Sequence, residues 1–231
     1  AKFQIAMANG VLYTNNWRLV DEQQKGEEPQ NLYEFRPFAM IWKDVPEPGD
    51  DGAETTASKE PMTLMSESGL VQFSSTFDPV SRKSGRVIGG KLEGRVTASG
   101  PDGLTLRGRD FFFHEKSLEL HSDSPVEFTY QQHRGTAEDG FKADLIPSAE
   151  APRPDDFLAV AGIRRVMLRG LVEMDLANQN NPLHVTCDEL FQFSPEQLIA
   201  SFQGNVNVQR FIPNAEPDLL TGEDFLLVFE D

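Results

Sequence analysis

A short phrase recurs along this chain, and its recurrence limits the possible folds more than any single motif does. LMSESGLVQFS at 64–74 is echoed by HVTCDELFQFS at 184–194, and shorter echoes read RGRDFFF at 107–113 and TGEDFLL at 221–227. Aligning them puts Leu70, Phe111, Leu190 and Phe225 at one equivalent position. The middle gap is about twice the others, which leaves room for one degenerate copy at Ala143, Asp144 and Leu145. A period of roughly 35–40 residues marks one supersecondary unit stacked on itself.

Each unit has two strokes. The first is the phrase itself. After a polar turn such as 114–117, the second returns through a small residue two places before a valine: Gly94 before Val96, Ser124 before Val126, Gly170 before Val172, Gly204 before Val206. Alternation of period two follows each valine, which gives a strand one wet and one buried face. The small residue predicts a bend or bulge. In the first stroke the apolar parity slips at Asp110, Glu189 and Asp224. That slip predicts a second bend, carrying a long strand from one sheet onto the opposite one. Helix grammar is confined to 194–201, where Ser194 and Pro195 could open a helix. Gly204 follows too soon, so a turn and then a strand over 198–202 is the better reading.

These features predict an all-β protein: an open β-jellyroll or flattened β-solenoid of stacked antiparallel strand pairs. We read 1–231 as a single repeat-built domain, excised from a longer protein whose targeting signal lies upstream. The Pro-, Gly- and acid-rich stretches 44–61 and 147–156 read as surface loops.

Composition removes several function classes. The 21 basic and 37 acidic residues leave a formal charge of −16, which repels nucleic acid and anionic membrane surfaces. One stretch runs the other way, with Arg82, Lys83, Arg86, Lys91 and Arg95 close together; it is either a solvated hairpin face or a contact for an anionic headgroup. No apolar run is long enough to span a bilayer as a helix. The lone Cys187 has no disulfide partner and reads as a small strand residue. The four histidines lack metal-ligand spacing, and no nucleophile, zinc or phosphate-loop motif occurs. Asp110, Glu189 and Asp224 could be a glycosidase-like carboxylate set. Their repetition once per unit instead suggests a structural task, satisfying backbone N–H groups at the bends. We therefore expect no catalytic residues, no metal and no cofactor. Seventeen Phe against 2 Trp and 3 Tyr suit a greasy interior. Phe111, Phe112 and Phe113 are consecutive, so one ring must leave the core, either to pack under a loop or to line a groove or seam.

The segment 108–128, the GNVNV stroke at 204–208, and the CDEL and GEDF strokes at 187–190 and 222–225 resemble the repeat of the OstA-like superfamily. That superfamily includes the lipopolysaccharide-transport proteins LptA and LptC. The resemblance covers roughly 61–231, and the acidic stretch within 1–60 departs from it. It implies a periplasmic or envelope β-jellyroll, non-enzymatic, that holds acyl chains in its interior and stacks edge to edge with other β-jellyroll proteins. The interior residues it nominates are Phe111, Phe113, Val126, Phe128, Val172, Met174, Phe191, Phe193, Val206 and Val208. The expected partners are lipid or lipopolysaccharide and other jellyrolls, with no nucleic acid. The alternative is a structural module that stacks without lipid inside.

Overall fold

The structure, a computed structural model, describes residues 1–6, 10–20, 31–42, 61–77, 85–100, 103–147, 160–177, 182–212 and 215–228. The loops read at 44–61 and 147–156 lie outside these residues except for Pro61 and Pro147. The described residues hold strands and turns and no α-helix. The strands are β1 (Phe3–Ala6), β2 (Gly10–Thr14), β3 (Asn16–Leu19), β4 (Leu32–Arg36), β5 (Phe38–Trp42), β6 (Met62–Phe73), β7 (Val87–Ser99), β8 (Thr105–His114) and β9 (Glu119–Ser122). They continue as β10 (Val126–Tyr130), β11 (His133–Ala137), β12 (Phe141–Pro147), β13 (Val160–Arg169), β14 (Val172–Leu176), β15 (Leu183–Cys187), β16 (Leu190–Ser194), β17 (Ile199–Arg210) and β18 (Asp218–Val228).

All the pairings are antiparallel, and together they form one sheet folded along a crease. The long strands β6, β7, β8, β17 and β18 cross the crease whole. The others cross as broken pairs, such as β9 with β10 or β15 with β16. Each crossing strand or pair neighbours the next in sequence, so the sheet is a meander of bent rows. One half-sheet runs from β3 and β4 through β9, β12, β13 and β16 to the second half of β18. The other runs from β1 and β2 through β10, β11, β14 and β15 to its first half. Two rows, out and back, make one sequence repeat. This is the open, stacked all-β architecture the repeat predicts.

The crease is built as the small residues suggest. Gly94, Gly170 and Gly204 have φ of +76°, +75° and +81°, a region closed to most L residues. In β7 and β17 the ladder skips register at those glycines. The bare Cα is also needed for space. A Cβ on Gly94, Gly170 or Gly204 would lie 2.6, 2.6 or 2.5 Å from Glu67, Asp139 or Glu189 of the adjacent row. The acids thus fold over the glycines of the next bend. Asp110, itself at φ 52°, accepts the Gly94 N–H at 3.1 Å, and Glu67 accepts that of Arg95 at 3.2 Å.

Two cross-strand ladders flank the crease on its inner side. One reads Phe35, Gly69, Leu92, Phe111, then Ser122, Phe141, Leu168, Phe191, Phe202, Phe225. The facing one includes Ser66 and Val96, then Val126, Ala137, Val172 and Cys187, with Val206 opposite Gly222. Large rings thus pack over small or β-branched residues. Phe111 and Phe141 meet at 5.0 Å between ring centroids, Phe191 and Phe202 at 4.9 Å. Gly108 has no room for a Cβ because Phe111 and Val126 would each be 2.9 Å away.

The alignment of repeats needs correction at single-residue precision. Leu70, Phe111, Leu190 and Phe225 all follow the crease on the same half-sheet, but only Phe111 and Phe225 face inward. Leu70 pairs with Lys91 and Leu190 with Gln203, on the outer face. Their inward counterparts are Gly69 and Phe191. In the degenerate copy the equivalent residue is Phe141, not Leu145, since Phe141 shares the inward ladder with Leu168 and Phe191. The helix-like stretch at 194–201 is a turn over 195–198 followed by β17.

Candidate functional site

The space between the two half-sheets is an apolar trough. All ten residues nominated from the sequence lie on its inner faces: Phe111, Phe113, Phe191 and Phe193 on one half, Val126, Phe128, Val172, Met174, Val206 and Val208 on the other. Their burial divides them into two groups. Phe111, Val126, Val172 and Val206 are each 1% exposed, so close-packed neighbours rather than open space surround them. Phe191 and Met174 are also buried, at 8% and 7%, whereas Phe113, Phe128, Phe193 and Val208 are half-buried and pack against that core. The trough is therefore solid along the crease and around Met174 and Val185, and partly open at the four half-buried positions.

At the β3–β4 end aromatic rings fill it. Tyr33, Phe35, Phe73 and Phe77 interlock with centroids 5.1–6.3 Å apart, and Trp17 meets Phe77 edge-on at 5.7 Å. At β18 the inward Leu220 and Leu227 are exposed, as are the outward Leu219 and Leu226. β17 is the one hydrogen-bonded neighbour of β18 among the described residues.

The basic stretch does not converge on a single point. Arg82 and Lys83 lie outside the described residues. Arg86 is bound to Glu115 at 2.7 Å. Lys91 is bound to Glu93 at 3.1 Å and sits 5.4 Å above the Phe112 ring. Arg95 is exposed on the far side of the crease, and its side chain has no hydrogen bond or ion pair among the described residues. Phe112 is the ring that leaves the core. It lies on the outer face, stacked on His121 at 5.3 Å.

The remaining polar groups have local tasks. His184 Nδ1 and Arg134 Nε each lie 2.8 Å from an oxygen of Asp175. Those hydrogen bonds, His184 first, hold the Asp175 carboxyl below its usual range. His133 Nδ1 accepts the Ala177 N–H at 3.1 Å. Cys187 is buried in the small-residue ladder, and desolvation pushes its thiol up, away from the reactive thiolate. Among the described residues no three His, Cys, Asp or Glu side chains form a metal-binding group, and no helix is long and apolar enough to cross a membrane.

One polar feature was not read from the sequence. A cleft of about 470 Å³ lies over the rim of the first half-sheet, lined among others by Glu119, Asp144, Arg164, Gln192, Ser194 and Glu196. Its only sequence signal is the adjacent pair Arg164 and Arg165, which breaks the alternation of β13. Compared with known proteins, the chain matches no family model, no curated protein and no solved structure.

Proposed function

We propose that this chain is a non-enzymatic lipid-binding or lipid-transport module of a periplasm or cell envelope, which takes lipopolysaccharide-like acyl chains along the outer part of its trough. The observation that carries this reading is an interior that is solid in part and partly open in part. Residues by the crease form a permanent core, while Phe113, Phe128, Phe193 and Val208 offer partly open apolar surface on two facing sheets. Each CH₂ moved from water into such surroundings stabilises the complex by about 0.8 kcal/mol, so a short contact with several chains suffices for reversible holding. The repeat phrases that resemble lipopolysaccharide-transport jellyrolls support the same reading. So does β18, whose outer edge has no strand partner among the described residues and suits continuation by another jellyroll.

A second reading is favoured by the solid crease: a stacking module whose interior is filled by its own side chains. A photo-crosslinking amino acid at Val208 separates the two. With purified lipopolysaccharide as probe, the first reading expects a lipid adduct at Val208 and none at Met65, an exposed residue on the outer face. Absence of the adduct at Val208 overturns it in favour of the second. Substituting Phe111 does not discriminate, because its burial makes any polar replacement unfold the core under either reading.

A further inference from the structure

The cleft over the rim of the first half-sheet has the construction of a ligand site, and its chemistry is unlike that of the trough. It spans four neighbouring strands, β9, β12, β13 and β16. At about 4.8 Å per strand interval it is roughly 14 Å across. Its two ends are the same local structure. The turns 115–118 and 195–198 each finish on a leucine in the left-handed region, Leu118 at φ 50° and Leu198 at 53°. Leu118 and the buried Leu145 form a small apolar floor.

The walls are polar, and some are fixed in advance. Lys142 binds Glu119 at 2.5 Å and approaches Asp144 at 3.9 Å. Arg165 binds Asp144 through both Nε and an NH₂ group. These half-buried carboxylates are therefore held in place before any ligand arrives, which lowers the ordering cost of binding. Other groups are left unoccupied. The β12–β13 register jumps from Asp144 opposite Arg165 to Leu145 opposite Ile163, so Arg164 is the extra residue of a bulge. Bulges re-aim side chains, and Arg164 lines the cleft with no protein partner for its guanidinium among the described residues. The side chains of Gln192, Glu196 and Gln197 likewise make no hydrogen bond or ion pair there.

We propose that this cleft binds a neutral oligosaccharide. Its free groups are planar amides, a carboxylate and a guanidinium, which together donate and accept. Paired hydroxyls of a sugar, each both donor and acceptor, suit that set. Of the ionised lining groups left without a partner, Arg164 and Glu196 cancel, which disfavours phosphate or another anion. The polar walls disfavour an acyl chain. The volume falls within the about 300–1,000 Å³ of small-ligand sites. The site is separate from the trough and does not depend on a lipid there.

The test is a printed array of acyl-free neutral and anionic oligosaccharides, followed by titration calorimetry of any hit, with inorganic phosphate as competitor. A neutral glycan should bind. Arg164→Ala combined with Gln192→Ala should weaken it at least tenfold without lowering the thermal midpoint, since neither side chain has a partner to lose among the described residues. Arg134→Ala, on the other half-sheet, should leave binding unchanged. The proposal is overturned if no neutral glycan binds, if the double variant binds as well as the parent, or if phosphate displaces the sugar.

Discussion

Glu34 is the one charged side chain buried in the described protein, at 6% exposure on the outer face of β4. Burial alone would raise its carboxyl pKa. Hydrogen bonds from Arg18 and from Arg36, the latter at 2.6 Å, together with their charges, outweigh burial and hold it below the usual value. With the folded value depressed, the stabilisation is fully present above the unfolded value, about 4.3, and is lost as pH falls through the folded value. Glu34→Gln should cost about 1.5–3 kcal/mol at neutral pH, the range for hydrogen bonds to a charged group. Urea unfolding at pH 7 and again near pH 3 measures it. The deficit should shrink in acid, and one that stays constant refutes this account. The Arg36 contact is local, two residues along β4, but the Arg18 contact was not legible in the sequence, because Arg18 and Glu34 come together only through the β3–β4 register. Period-two alternation after the valines, by contrast, puts Phe128 on the face of Val126 and Val208 on the face of Val206, and the strand register does the same. Local pattern fixes which face a residue takes; only register brings distant charges together.

At the scale of the element, the crease was legible and its exact phase was not. A small residue two places before Val96, Val172 and Val206 marked it, and the glycines there do turn the chain at positive φ. The phase failed because the bends differ in length. The inward residues are Gly108 and Phe111 across one bend and Cys187 and Phe191 across another. Aligning both on the acidic residue therefore puts Leu190 a place too early. The expected role of the acids is realised at Asp110, while Glu189 acts through its carbon stem over Gly204. This architecture gives opposite signs for two glycine substitutions. Gly204→Ala forces a Cβ into the left-handed region and to 2.5 Å from Glu189 Cγ, and should destabilise by about 1–2 kcal/mol or more. Gly89→Ala in β7 meets only ordinary contacts of 3.5 Å and beyond. It should be neutral or stabilise by up to about 1 kcal/mol, through the unfolded chain. Denaturant midpoints of the two variants decide it, and equal losses would mean the crease does not depend on its glycines.

Over the whole molecule two terms act on association, and they oppose each other. β18 carries exposed leucines on both faces, Leu219 and Leu226 outside at 61% and 64%, Leu220 and Leu227 inside. An apolar strand with a free edge templates pairing with another chain. The same strand bears Asp218, Glu223 and Asp224, and each copy carries a net charge of −16, so approaching copies repel. The repulsion is screened by salt, with a Debye length of about 30 Å at 0.01 M and about 8 Å at 0.15 M, whereas apolar burial does not weaken as salt is added. Association through β18 should therefore strengthen as salt rises, opposite to the behaviour of an assembly held by ion pairs. Sedimentation velocity across that salt range should show larger species at the higher salt. Leu219→Lys with Leu226→Lys should restore the monomer there without lowering its thermal midpoint, because neither leucine packs in the core. A parent chain that stays monomeric at every salt, or a double variant that still associates, would mean the β18 edge does not drive assembly.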